Sequence, residues 1–363
     1  MRRSVKRRSP QEPARIAAGP GVASGRDRLT AAAGGVLFGL ALGVADRLLF
    51  SPRAKGRFSA AGRRADSPTE LPASSWRDVV RRTWTEFNSD HIPAVAGGAT
   101  FFALLALFPA LGVFVSLYGL FGDVEQARLQ LVQLQGVLPQ GAIMVLSEQI
   151  TRLAAAPHGR LGATFVLGLL LSLWSTNAGV KALIAGLNVA YEEKERRNFL
   201  RLNLVSLSFT VGGIAVGLAA AAAATLTARL DLAASPVLAV LRWPLGLAVV
   251  VVMLALLYRY APSRAHAKWR WITPGSVLAA LCWLGMSLLF TTYVANFGHY
   301  DKTYGSLGAL VGFMTWIWLS LAVILLGAEL NSELEQHTAA DTTTGPPRAP
   351  GVRGAAAADR SPR

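Results

Sequence analysis

Six long apolar runs occupy the region between residues 92 and 328, and they limit the folds open to this chain more than any other feature. Each run is at least 20 residues long, and only the fourth contains a charged side chain, Arg242. A helix needs about 20 mainly apolar residues to cross a hydrocarbon core of roughly 30 Å, so each run is long enough to span a membrane. The runs cover residues 92–122, 161–180, 202–228, 232–258, 272–300 and 303–328.

The composition favours the same class of protein. Hydrophobic residues make up 52% of the chain and charged residues only 16%, whereas globular chains usually carry about a quarter charged residues. The net charge of +15 could suggest nucleic acid, but basic cytoplasmic flanks and contact with anionic lipid explain it better. We therefore predict an all-α fold, a polytopic membrane helix bundle with six transmembrane helices.

The distribution of basic residues predicts the orientation of this bundle. With six spans, the N-terminal region, the loops 181–201 and 259–271 and the tail share one side, which carries 30 Lys and Arg against 6 on the other. Without the N-terminal region the ratio is still 13 to 6. Cytoplasmic loops carry the excess of Lys and Arg, so we expect both termini in the cytoplasm.

Two flanking regions are expected to be largely disordered. The basic region 1–74 contains an apolar stretch, 29–45, whose 17 uncharged residues and four glycines favour a short surface or re-entrant helix over a span or a signal peptide. The region 338–363 is rich in Thr, Gly, Pro and Ala and is predicted to be a disordered tail. The membrane domain is accordingly predicted to cover residues 75–337.

Amphipathic helices are predicted on both sides of the bundle. Residues 75–88 show apolar side chains at helical spacing, as in a helix that lies in the bilayer interface, and the alternative is a helix packed on a soluble domain. The outer loop 122–160 is expected to form two more amphipathic helices around Pro139. The apolar residues of the first helix are Trp76, Val79, Val80, Trp84 and Phe87.

Polar residues at membrane depth are the first candidates for a substrate path, because they are costly in lipid and often functional. Asn177 lies in the second run, where the alternative is a structural hydrogen bond to a neighbouring helix. Glu329 follows the sixth run, where the alternative is a solvated carboxylate at a helix end. Asp301, Lys302 and Tyr304 lie at the expected outer mouth of the same run.

Glycine pairs four residues apart occur in two of the runs. Gly213 and Gly217 lie in the third run, and Gly308 and Gly312 lie in the sixth. This spacing favours close packing of one helix against another. The alternative is a broken helix that lines a substrate site.

The sequence shows no catalytic or metal-binding constellation. Its five histidines are far apart and lack the spacing of metal ligands. The single cysteine, Cys282, can form neither an intrachain disulfide nor a cysteine metal cluster. We therefore expect no catalytic residue, no metal site and no cofactor.

Four segments carry a resemblance to a known family. They are DHIPAVAGGATFFALLALFPALGVFVSLYGLFGD from Asp90, LWSTNAGVKALIAGLNVAYEEKERR from Leu173, LYRYAPSRAHAKWRWITPGS from Leu257 and YVANFGHYDKTYGSLGALVGFMTWIWLSLAVILLGAELNSELE from Tyr293. Together they resemble the YihY / BrkB family of bacterial inner-membrane proteins over roughly residues 75–337. The resemblance implies six transmembrane helices in a bacterial cytoplasmic membrane. It implies no settled biochemistry, since members have been called ribonuclease BN and one branch is called a virulence factor.

Three functions follow as hypotheses. The first is transport or export of a lipid-like or small envelope substrate, and the second is a non-transporting envelope scaffold. The third, the ribonuclease activity, is disfavoured because metal-dependent RNA cleavage needs clustered ligands that the sequence does not offer. We expect membrane lipids as partners and no binding of nucleic acid. A homo-oligomer is compatible with the sequence.

The predicted orientation can be tested with reporter fusions. Fusions after Arg196 and after Arg270 should report the cytoplasm, and a fusion near Gly136 should report the outside, because Lys and Arg concentrate on one side. Paired alkaline phosphatase and fluorescent-protein reporters measure both locations. The reversed pattern would exclude the six-span topology.

Overall fold

The computed structural model describes residues 65–118, 140–155, 163–229, 236–297 and 306–360, together with Leu131 and Leu138. The apolar stretch 29–45 lies outside the described residues. So do three of the candidate site residues, Asp301, Lys302 and Tyr304.

Six helices in the described part of the chain are long and apolar enough to cross a membrane, which confirms the six predicted spans. These residues form no strand, and an isolated bridge pairs Ala267 with Thr343. The all-α fold is therefore confirmed. In chain order the spans are the helices Ile92–Tyr118, Ala163–Ala190, Phe199–Arg229, Pro236–Tyr260, Trp269–Phe297 and Ser306–Gln336.

The spans pack most tightly at one end of the bundle, which we call the polar end. There the odd-numbered spans begin and the even-numbered spans end, so that the loops 191–198 and 261–268 meet the tail that follows Gln336. Five spans contribute buried apolar side chains to the core at this end, whereas the apolar side chains that the third span contributes are only partly buried. Core residues include Ile92, Ala96, Ile184, Leu187, Leu254, Tyr258, Ile272, Ala279, Leu321 and Leu325.

The fifth and sixth spans cross at two glycines. A Cβ atom added to Gly275 would overlap the carbonyl oxygen of Gly327 and the Oδ1 atom of Asn331. A Cβ atom on Gly327 would lie 2.7 Å from the carbonyl oxygen of Gly275. The close approach lets the Gly275 amide donate a hydrogen bond of 2.8 Å to Asn331 Oδ1, which joins the two helices. Small residues thus permit helix packing here, as they commonly do in membranes.

The glycines singled out in the sequence lie elsewhere. No atom in the described part of the chain lies within 4 Å of a Cβ atom added to Gly213 or Gly312, so the predicted close packing is not seen there. A Cβ atom on Gly217 would make ordinary contact with the ring of Phe114, 3.6 Å away. Gly308 is half-buried in the sixth span. Spacing alone identifies a small-residue stripe but not the helix that faces it.

The amphipathic segment forms the helix Ala73–Ser89. It packs on the polar end, where Val79 is fully buried in a cluster with Trp271 and Leu334. Val80 and Trp84 remain exposed, at 50% and 40%. One face of the helix therefore docks on the bundle, and the other offers apolar side chains to its surroundings.

The loop between the first and second spans contains the helix Gln140–Ala155, which packs on the first and sixth spans. It corresponds to the amphipathic helix predicted after Pro139. The one predicted before Pro139 falls outside the described residues except for Leu131 and Leu138.

The tail is ordered through Arg360, which corrects the prediction of a disordered segment. Arg353 is 4% exposed, and its guanidinium donates hydrogen bonds to four backbone carbonyls of the tail. The carboxylate of Asp341 accepts hydrogen bonds from the Thr343 and Arg348 amides. The tail is ordered by the hydrogen bonds of these polar side chains rather than by an apolar core. Its composition does not reveal such bonds, and for this reason the composition suggested disorder.

The glycine crossing predicts a difference between two substitutions on the same helix. Gly275→Ala should destabilise the protein by about 1–3 kcal/mol, because the fifth and sixth spans must separate to admit the methyl group. Gly285→Ala is the matched control, since nothing lies within 4 Å of the added Cβ, and its stability should be unchanged or slightly higher. Apparent melting temperatures in detergent measure both. Equal melting temperatures would contradict the crossing.

Candidate functional site

A cleft separates the third and fourth spans, although they are consecutive in the chain. The third span packs mainly on the second, and the fourth packs mainly on the fifth. Two cavities follow one another along these spans, one in each half of the bundle. The one in the half opposite the polar end is also lined by the first span, the fifth span and the helix Gln140–Ala155. This cleft is the candidate functional site.

The cavity in the polar half has a volume of about 940 Å³. Its deeper walls are apolar and come from both spans, and two adjacent glycines, Gly212 and Gly213, open space between them. An apolar ligand segment can lie there without displacing protein atoms. The apolar wall residues are Val205, Phe209, Val216, Met253 and Leu256.

Arginines surround the mouth of this cavity. Arg197 forms an ion pair with Glu195 at 2.7 Å and also donates to the carbonyl of Ala261, so its role is structural. The hydrogen bonds from Arg197 lower the pKa of Glu195 to about 2, and the pair therefore stays ionised. Arg196 is 71% exposed and lies 4.0 Å from its acidic partner. Arg201 is exposed and makes no ion pair within the described residues.

The cavity in the opposite half has a volume of about 750 Å³. It begins where the first cavity ends: Gly217 follows Val216 along the third span, and Val250 lies one helical turn from Met253 along the fourth. Arg242 lines its far end. Small side chains of the third span form one wall, namely Gly217, Ala220, Ala221 and Ala224.

Along the third span, the linings of the two cavities run from Arg201 to Ala224. From Arg201 to Ala224 the third span rises by about 35 Å at roughly 1.5 Å per residue, which matches a hydrocarbon core of roughly 30 Å. The cleft therefore has a basic mouth at the polar end, mainly apolar walls, and one further arginine towards the opposite end.

A buried ion pair lies directly behind the basic mouth. The Nη2 atom of Arg264 is 2.7 and 2.9 Å from the carboxylate oxygens of Glu335, and the two side chains are only 2% and 0% exposed. The guanidinium lies 4.7 Å from the ring centre of Tyr191, and Thr342 donates a hydrogen bond of 2.7 Å to Glu335. The loop 261–268, the sixth span, the end of the second span and the tail thus meet at one point.

Asn188 connects the two loops that form the mouth. Its Oδ1 atom accepts a hydrogen bond of 2.8 Å from the Ser263 amide, and its Nδ2 atom donates to Glu195 at 3.1 Å. The Ser263 hydroxyl accepts a hydrogen bond of 3.0 Å from the Arg196 amide. These bonds fix the backbone that carries Arg196 and Arg197.

Glu329 is buried rather than solvated at a helix end. It is 2% exposed, and the sixth span continues beyond it to Gln336. Its Oε1 atom has no hydrogen-bond partner, and neither has the Oε2 atom of Glu333, which is 3% exposed one turn further on. The alternative of a solvated carboxylate at a helix end is therefore wrong, because the helix continues past the apolar run. Glu329 does not line the cleft.

Asn177 bonds a neighbouring helix, which was the structural alternative. Its Nδ2 atom lies 3.4 Å from Oδ1 of Asn203 on the third span, and Asn203 in turn donates to the carbonyl of Phe199. Asn177 is 1% exposed and does not line either cavity of the cleft. It attaches the third span to the second near the polar end.

The residues that matter most at the site, Arg196, Arg201 and Arg264, were counted in the sequence only as basic loop residues. The sequence shows the charge of these arginines but not the side chains that they contact. Arg264 meets Glu335 across 71 positions of sequence, a separation that no local pattern reveals.

The buried ion pair predicts a large loss of stability when one partner is removed. Glu335→Leu leaves the buried charge of Arg264 without its partner and should cost about 3–5 kcal/mol, measured as thermal stability in detergent. The double variant Arg264→Met with Glu335→Leu should recover much of that loss. Arg360→Met breaks the exposed pair with Glu192 and should cost no more than about 1 kcal/mol. A double variant as unstable as Glu335→Leu alone would contradict the pairing.

Comparison with known proteins agrees with this architecture. The family model for virulence factor BrkB matches residues 83–352, which includes all six spans and the first part of the tail. The match passes residue 337, where the sequence resemblance was expected to end, and this agrees with the ordered contacts of the tail. No solved structure matches the chain.

Several curated relatives are similar over most of the membrane domain. The ribonuclease-like protein YfkH of Bacillus subtilis is 31% identical over 250 residues, which cover 65% of this chain and 88% of the relative. A UPF0761 membrane protein of Neisseria meningitidis serogroup B is 29% identical over 267 residues, which cover 70% of this chain and only 62% of the relative. A UPF0761 membrane protein of Idiomarina loihiensis is 26% identical over 261 residues, covering 69% and 88%. The family match extends over well more than half of the residues, and the chain therefore belongs to the virulence factor BrkB family of membrane proteins.

Proposed function

We propose that the protein moves a lipid-like substrate across the bacterial cytoplasmic membrane along the cleft between the third and fourth spans. The single observation that carries this proposal is that two cavities follow one another along both helices. A path of about 35 Å matches the thickness that a substrate must cross. In this proposal the polar end faces the cytoplasm, which the excess of Lys and Arg on that side supports.

The walls of the cleft favour a lipid-like substrate over a small polar solute. Apolar residues line most of both cavities, and burying such surface against an acyl chain is favourable. The charged residues that line the two cavities lie near the two ends of the cleft. A polar headgroup would contact them when it enters the cleft and when it leaves. A small polar solute would find few hydrogen-bond partners between these ends.

We also propose that the chain is not a nuclease. The ribonuclease-like name belongs to the Bacillus relative. Within the described ranges, no three His, Cys, Asp or Glu side chains are grouped closely enough to hold a metal ion. Metal-assisted RNA cleavage depends on such a group.

Blocking the cleft should stop transport without unfolding the protein. Gly213→Trp places a large ring in the cleft, where nothing lies within 4 Å of the added Cβ, so the variant should fold normally. The purified protein is reconstituted in phosphatidylcholine liposomes with a trace of fluorescent phosphatidylglycerol, and quenching by dithionite reports translocation. Wild type should accelerate translocation, and Gly213→Trp should return it to the rate of protein-free liposomes.

Gly285→Trp is the control, because it also adds a ring at an open position but does not line the cleft. It should translocate lipid at the wild-type rate. If wild type is no faster than protein-free liposomes, with or without an imposed proton gradient, the envelope scaffold becomes the better function.

A further inference from the structure

We infer that the polar half of the cleft binds an anionic phospholipid, with the phosphate held at the arginine mouth and an acyl chain between the third and fourth spans. This inference deepens the proposed function and rests on it, since it names the substrate class of the same cleft. Binding of the lipid can be measured separately from its transport.

Two cations at the mouth are available to a phosphate. Arg201 makes no ion pair in the part of the chain that the structure describes, and its side chain is exposed at the cavity. Arg196 is 71% exposed, and its only acidic contact there is the distant one with Glu193 at 4.0 Å. Arginine donates paired hydrogen bonds that match the oxygens of a phosphate. Arg201 also lies in the first turn of a helix of 31 residues, whose positive end attracts anions.

A buried guanidinium in the wall of the same cavity lacks an acceptor. Arg264 lines the cavity and is 2% exposed, and its Nη2 atom is used by Glu335. Its Nη1 atom has no hydrogen-bond partner. Leaving a buried donor without a partner is costly, so an anionic oxygen that reached Nη1 from the cavity would be stabilised. The neighbouring Arg197 is satisfied by Glu195 and positions the loop instead.

The depth and chemistry of the cavity identify the anion as a lipid. From Arg201 to Val216 the third span rises by about 22 Å, more than half of a roughly 30 Å hydrocarbon core. The wall below the arginines is apolar, and Gly212 and Gly213 leave it open. A free phosphate would occupy the mouth alone and leave this apolar groove uncovered, whereas one acyl chain of a phospholipid would cover it.

The test compares phosphatidylglycerol with phosphatidylcholine of identical acyl chains on the full-length protein in detergent. Native mass spectrometry measures the apparent affinity of each lipid. Wild type should prefer phosphatidylglycerol, and the double variant Arg196→Gln with Arg201→Gln should bind it about tenfold more weakly. The loss should be smaller for phosphatidylcholine, because its own choline cation already compensates the charge of its phosphate. Arg77→Gln removes an exposed charge that does not line the cleft and should leave both affinities unchanged.

Two further binding experiments distinguish a bound lipid from a bound free phosphate. Gly213→Trp should weaken the binding of both lipids, because the ring occupies the groove for the acyl chain. Inorganic phosphate at millimolar concentration should not displace phosphatidylglycerol. Full displacement by phosphate, equal binding of the two lipids by wild type, or an equal effect of Arg77→Gln would each overturn the inference.

The liposome assay distinguishes this inference from the proposed function. If phosphatidylglycerol binds as expected but is not translocated, the transport proposal fails and the binding site stands. If translocation occurs at equal rates for both lipids and survives the arginine double variant, transport stands and the anionic headgroup site fails.

Discussion

The buried pair of Arg264 and Glu335 is the interaction on which the polar end depends. Two charges withdrawn from water are stable only when they satisfy each other, and these side chains are 2% and 0% exposed. Because Arg264 lies in a loop and Glu335 near the end of the sixth span, the pair sets the position of both. Two further contacts join the same pair. Tyr191, which follows the second span, packs its ring on the guanidinium of Arg264, and Thr342 of the tail donates a hydrogen bond to Glu335.

The remaining parts of the bundle divide into a close-packed side and an open side. The fifth and sixth spans approach until the backbones at Gly275 and Gly327 are in contact. The third span instead contributes only partly buried apolar residues to the core and is attached to the second span through Asn203 and Asn177. The proposed transport path would follow this open side, beside the close-packed core.

The mouth of the cleft depends on polar contacts that cross long stretches of sequence. Asn188 holds Ser263, and the tail closes over the loop through the hydrogen bond from the Ala265 amide to the Gly354 carbonyl. Gly354 also lines the cavity of the polar half. The tail is therefore part of the site rather than an appendage, and the family match through residue 352 includes most of it.

The sequence by itself determined the fold class and the six spans, because the length of an apolar run reports directly on the thickness of the bilayer. It also yielded Asn177 as a buried polar residue, with its bond to a neighbouring helix as an alternative. It did not locate the cleft, the partner of Arg264, the ordered tail or the burial of Glu329. Lipid-facing and helix-facing residues are equally apolar, so hydropathy cannot say which helices touch. Only the tertiary structure decided that the third and fourth spans stay apart, because their nearest partners are the second and fifth.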